Sequence, residues 1–178
     1  ASAALSQAVR TLNTPVRPAG SPPQPDVPSF ASSKERATEA RKQLQALIER
    51  YPHTRSGEIA RYMMALTAAD LGDNAAAERD LKTVAASRNE DLSALADLAL
   101  GSLYRRQNRA KEAIELYKKL AQKPTRTVAK TTAQLEMAAT YMEDHQPLEA
   151  KRIYEQVQKE NPATEAARLA AQKLQQMK

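Results

Sequence analysis

The chain has 178 residues, 42% of them hydrophobic and 27% charged, with ten Pro, four Gly, one Phe and neither Cys nor Trp. An apolar share dominated by Ala and Leu, with so few aromatic residues, favours tightly packed helices over a sheet, and the missing cysteines exclude disulfides, thiol catalysis and thiolate metal sites. The net charge of +6 is diffuse: residues 34–52 hold five basic and three acidic groups, residues 53–88 five of each, and residues 125–160 five against six, which argues against a nucleic-acid stripe.

Residues 1–12 predict a short Ala-rich helix with Leu5, Val9 and Leu12 on one side. Pro15, Pro18, Pro22, Pro23, Pro25 and Pro28 follow. That density removes backbone donors and predicts an extended, semi-rigid spacer that holds the remainder away from whatever precedes it. The expected division is therefore a helix and spacer over 1–32 and a helical repeat domain over 33–178. No apolar run approaches the roughly eighteen residues that cross a bilayer.

Ser32 and Ser33 are candidate N-caps for a helix whose face is Ala40, Leu44 and Leu47, closed at Pro52. A helix pair is predicted over 57–71 and 74–87, joined at Gly72-Asp73-Asn74. A second pair spans 90–123 with its turn near Asn108, and a third 127–160 with its turn near His145-Gln146-Pro147. Pro162 then opens a last amphipathic helix with Ala166, Leu169, Ala170, Leu174 and Met177 as its buried stripe.

One spacing unites these pairs. Ala77, Leu81 and Val84 recur as Ala113, Tyr117 and Leu120 and again as Ala150, Tyr154 and Val157, spaced 36 and then 37 residues apart. A fixed period of this size predicts stacked helix pairs, an all-α solenoid with no central pocket. The alanines mark close helix crossings, and the larger residues four positions later fill the gap to the next pair.

Reactive chemistry is sparse. The chain has two His, at 53 and 145, and no metalloprotease or phosphate-loop motif. Glu143, Asp144 and His145 are consecutive in a turn, so their side chains diverge, and Glu112 with Glu115 reads as a solvated face. Met63 and Met64, being consecutive, read as ordinary core. Arg105, Arg106, Arg109 and Lys111, followed by Lys118, Lys119 and Lys123, form the densest basic cluster, with no recognition-helix motif and no aromatic platform for bases. No enzyme, cofactor or metal site is expected.

The pattern resembles the tetratricopeptide repeat. Leu100, Gly101, Tyr104, Ala113, Tyr117 and Leu120, closed near Pro124, match the family's positions best. Met137, Ala138, Tyr141, Ala150, Tyr154, Val157 and Pro162 match next, and Met64, Ala65, Gly72, Ala77, Leu81 and Val84 less well. Ala40, Leu44, Leu47 and Pro52 resemble the second helix of a leading half repeat whose first helix is missing, and the C-terminal helix resembles a cap. The family's bulky residue near the start of each first helix is replaced by Arg61, Asp97 and Gln134.

The resemblance implies a right-handed solenoid of three full repeats whose first helices line a concave protein-binding face. That face would present Ile59, Tyr62 and Leu66, then Leu95, Leu98, Ser102 and Arg105, then Thr132, Leu135, Ala139 and Met142. It is apolar and lacks the Lys and Asn of carboxylate-clamp adaptors, so the implied partner is an apolar or amphipathic protein segment. The spacer, the Tyr51-Pro52-His53-Thr54-Arg55-Ser56 segment and the Ala-rich core are similar to the YfgM-like group of ancillary Sec-translocon subunits. That similarity implies a periplasmic scaffold, tied to the inner membrane by a segment before Ala1, with a translocon or periplasmic chaperone as partner. The same features are similar to envelope-assembly and cell-division scaffolds, and a cytoplasmic adaptor stays as the alternative.

Overall fold

The computed structural model describes residues 1–22 and 26–177; Pro23 and Pro25 of the expected spacer lie outside the described residues. The fold is all-α. Among the described residues the helices are α1 (Ser2–Asn13), α2 (Ser33–Arg50), α3 (Arg55–Asp70), α4 (Asn74–Ala85), α5 (Glu90–Arg106), α6 (Ala110–Gln122), α7 (Lys130–Glu143), α8 (Pro147–Glu160) and α9 (Glu165–Gln176). Two compact units result, Ala1–Val84 and Ala85–Lys178.

In the first unit α1 packs on α2, and α2 on α3. Ala8 is fully buried in a cluster with Leu44, Leu47, Ile48, Ala60 and Met64, with Leu5 and Tyr51 against its edge. Thr11 Oγ1 donates to Gln43 Oε1 at 2.9 Å. Where the sequence reading leaves α2 without a first helix, α1 therefore takes that place. The spacer differs too. Its described ends close on each other in a parallel bridge between Val16 and Phe30, with the Arg17 amide donating to the Phe30 carbonyl and the Phe30 amide to the Pro15 carbonyl, both at 3.0 Å. Arg36 Nη1 adds a bond to the Thr14 carbonyl. Proline density limits donors within a segment, but Arg17 and Phe30 keep theirs, and two such donors suffice to fold the loop back.

Ser32 caps α2, its hydroxyl accepting from the Glu35 amide at 3.1 Å, and Glu35 Oε2 reaches back to the Ala31 amide at 2.8 Å. Thr54 caps α3 through the Gly57 amide. A Cβ on Gly57 would lie 2.0 Å from the Tyr51 carbonyl oxygen, so only glycine allows the chain to turn so sharply into α3.

The second unit is packed as a solenoid, each helix from α5 to α9 on the next, with α7 also meeting α9. Ala113, Tyr117 and Leu120 of α6 and Ala150, Tyr154 and Val157 of α8 are all buried, as are Ala77, Leu81 and Val84 of α4 in the first unit; Tyr104 is buried and Tyr141 half-buried. The turns within the three pairs share one construction. Gly72, Asn108 and His145 adopt positive φ, and the next amide bonds back five residues, Asp73 to Ala68, Arg109 to Tyr104 and Gln146 to Tyr141.

Two boundaries differ from the sequence reading. α7 begins at Lys130, not Thr127, because residues 125–128 form a turn that buries Val128 and ties Arg126 to Asp91 through its backbone amide at 3.2 Å and Nε at 3.0 Å. α9 begins at Glu165, not Pro162, because Thr164 is its cap, accepting from the Ala167 amide. Of the expected stripe Ala170 is fully buried and Ala166, Leu174 and Met177 pack half-buried against the same core, whereas Leu169 is 41% exposed and Ala167 is buried in addition.

Candidate protein-binding face

The first helices carry the expected stripe at i, i+3, i+7 spacing, which keeps residues on one side of a helix. On α3, Ile59 and Tyr62 are half-buried and Leu66 is exposed; burial holds the Tyr62 phenol above its usual range. In the second unit Leu95, Leu98, Ser102 and Arg105 of α5 are half-buried. So are Leu135 and Ala139 of α7, while Thr132 and Met142 are exposed. None of these eleven side chains lies fully inside. Leu135 also packs against the α8–α9 core beside Ala138 and Tyr154.

The face of the second unit is less apolar than the sequence implies. Arg105 Nη1 donates to Glu136 Oε2 at 2.7 Å, and its Nε lies 3.5 Å from Glu143 Oε2, so one guanidinium ties α5 to α7 at the C-terminal end of the α5 stripe. Beneath it the Tyr117 hydroxyl comes within 3.4 Å of Ser102 Oγ. Burial raises the Tyr117 and Tyr154 phenols above their usual range; the Ser102 contact lowers Tyr117, while Glu136 raises both phenols and Arg105 lowers both. Sequence reasoning placed Arg105 on this face and missed its partners. Glu136 and Glu143 are seven residues apart on the flank of the Leu135–Met142 stripe, a spacing that puts two carboxylates on one side of α7 without naming the cation that meets them.

The groove between α7 and α9 has two parts. Near the helix starts Thr132 and Leu135 face Ala166, Arg168, Leu169 and Gln172. Near the ends Ala139, Met142 and Glu143 face Lys173 and Met177, with Tyr154 also lining it. Its chemistry is that of contact, with apolar floor residues and single charges at the rim. Arg105 is already bonded to two carboxylates, so its capacity to clamp a chain terminus is spent within the protein.

Most of the basic cluster is likewise paired. Arg109 lies 3.9 Å over the Tyr104 ring and pairs with Glu112, Lys118 pairs with Glu115, Lys119 with Asp97 and Lys123 with Glu90. Few charges are left to release counterions from a phosphate backbone. Among the described residues no group of three His, Asp or Glu side chains is placed to hold a metal, and no helix is long and apolar enough to cross a membrane.

Comparison with known families agrees with this architecture. Two models, each described as tetratricopeptide repeat, match residues 62–126 and 30–54. The first covers most of α3 through α6, and the second covers α2 with its cap and the turn that follows. No curated protein matches the chain. With the same turn closing three successive helix pairs and repeat models over both units, the chain is a tetratricopeptide-repeat protein.

Proposed function

We propose that the protein is a non-enzymatic scaffold whose α5–α7–α9 face holds an amphipathic segment of a partner protein. The observation that carries this reading is a row of partly exposed apolar side chains, Leu98, Leu135 and Met142, interrupted by the Arg105–Glu136–Glu143 cluster. Such a surface offers apolar area together with fixed charges that orient a guest, and the methionine adapts to its shape. Repeats of this family typically bind other proteins, which supports the same reading.

Leu135 is a poor probe because it also touches core. Leu98→Glu with Met142→Glu puts two charges on the partly exposed surface instead. Crosslinking from a photoreactive residue at position 139 should capture a protein partner in the unaltered chain and lose it in the double variant, with helicity and melting unchanged. Capture that persists in the double variant rules out this face.

The cellular setting proposed is the bacterial periplasm, with the scaffold tethered to the inner membrane near the translocon or its chaperones. Support comes from the similarity to the YfgM-like group in the Tyr51–Ser56 segment and the Ala-rich core. Protease accessibility in spheroplasts of the native host tests it. Digestion without membrane lysis is expected, and protection until lysis excludes the periplasm.

A further inference from the structure

We infer that a polar position repeated on the first helices, buried in α5 and α7 and partly buried in α3, acts as a register code, keeping each helix with its own partner. Residues 61, 97 and 134 recur at the 36 and 37 residue spacing and hold Arg, Asp and Gln. In the first unit Arg61 on α3 donates to Asp80 on α4 at 3.1 Å, with the Asp80 side chain only 2% exposed and Arg79 adding a second cation at 3.5 Å. In the second unit the polarity is reversed: Asp97 on α5, its side chain 5% exposed, accepts from Lys119 on α6 at 2.6 Å. In α7 the position is neutral. Gln134 is 3% exposed and its Oε1 has no hydrogen-bond partner.

A second set of positions, at the helix ends, reverses in the same manner. Lys123 and Glu160 are 37 residues apart at the ends of α6 and α8. Lys123 holds Glu90 at the start of α5 at 2.7 Å, and Glu160 holds Lys130 at the start of α7 at 2.9 Å. The second pair therefore runs acid to base and the third base to acid.

Repeats built on one apolar pattern need such a device. Ala77, Ala113 and Ala150 are interchangeable small residues, and burial of apolar area is non-directional, so the seams alone do not tell one second helix from another. The buried charges do. If α3 paired with α6, Leu116 would stand in place of Asp80 and Arg61 would come within a helical turn of Lys119; if α5 paired with α4, Asp97 would approach Asp80. A buried charge left unpaired or beside its like is penalised far more than an exposed one. Exchange of elements between repeats or between copies is a characteristic failure of repeat chains, and the reversal opposes it.

The test is refolding of the full chain from urea, read by circular dichroism and by size-exclusion chromatography with light scattering. Asp97→Arg with Lys119→Asp preserves complementarity inside the pair while giving both units the same polarity. Asp97→Asn with Lys119→Gln removes the charges with little change of shape. With helicity kept, an exchanged-dimer fraction about tenfold above that of the unaltered chain is expected in at least one of the two, the scale of a modest like-charge penalty. Two variants that refold with the monomer fraction of the unaltered chain would overturn the proposal. So would loss of helicity in the Asn/Gln variant, because the pair would then be needed to fold the unit and not to choose its partner.

Discussion

Gly101 and Tyr117 show how one pair of residues sets the spacing of α5 and α6. A Cβ on Gly101 would lie 2.7 Å from Tyr117 Cε1 and 2.8 Å from Cζ, and the ring is fully buried and has nowhere to retreat. Replacing a helical glycine by alanine gains about 1 kcal/mol in propensity, while overpacking of a close-packed site costs about 1 to 3 kcal/mol. Gly101→Ala should therefore destabilise by about 1 kcal/mol in urea unfolding. In a Tyr117→Leu background the clash is gone, so the same change should become neutral or stabilising, a non-additivity that a double-mutant cycle measures. Tyr117→Ala alone should be more costly, about 3 kcal/mol or more.

The same ring gives a pH dependence. Burial raises the folded-state pKa of Tyr117, and those of Tyr154 and Tyr62, above that of an unfolded tyrosine. Below about pH 10 the phenols are protonated in both states and the fold has its full stability. As pH rises beyond that value the unfolded chain ionises first and binds fewer protons, so stability falls through the interval up to the folded pKa values. Melting temperature should drop above about pH 10 ahead of the phenolate absorbance of the folded protein, and Tyr117→Phe should flatten the drop. Coincident absorbance and melting transitions would contradict this account.

At the scale of elements, the repeat was legible because the same few residues do the same local work three times. Ala113 and Ala150 allow close crossings, Tyr117 and Tyr154 fill the gaps, and the turns fall at Gly72, Asn108 and His145. What was not legible depends on contacts far apart in sequence. The half-buried stripe on α5 and α7 was readable from period alone, but the Arg105–Glu136 contact joins residues 31 apart, and no local pattern names that partner. The Pro-rich segment was illegible for a related reason: proline fixes local geometry, whereas the closure between Val16 and Phe30 is made by two backbone hydrogen bonds between its distant ends, beside the docking of α1 on α2. That docking rests on a residue too small to signal itself, Ala8.

It follows that α1 should be sensitive at Ala8 and not at its exposed neighbours. Ala8→Asp places a carboxylate among Leu44, Leu47 and Ile48, with no cation in that cluster to meet it. A buried, unpaired charge of this kind destabilises by about 3 kcal/mol or more. Ser6→Asp, on the exposed side of the same helix, should change stability by less than about 0.5 kcal/mol. Urea titration of the two variants separates a docked α1 from a freely dangling one, for which both substitutions would be equally silent.

Across the whole molecule the division after Val84 predicts how damage spreads. In repeat chains stability is close to a sum of terms within repeats and between neighbours, so a lesion acts most on its own unit. Ala8→Asp lies in the first unit and Ala150→Asp in the second, each at a fully buried alanine beside a large apolar cluster. Amide hydrogen exchange read by mass spectrometry resolves the two. Ala8→Asp should speed exchange in α2 and α3 by about a hundredfold, the change expected for about 3 kcal/mol, while α7 and α8 keep their protection. Ala150→Asp should do the reverse. Equal acceleration in both units from either variant would mean that the chain unfolds as a single cooperative block, and the register reversal between Arg61–Asp80 and Asp97–Lys119 would then act inside one folding unit instead of between two.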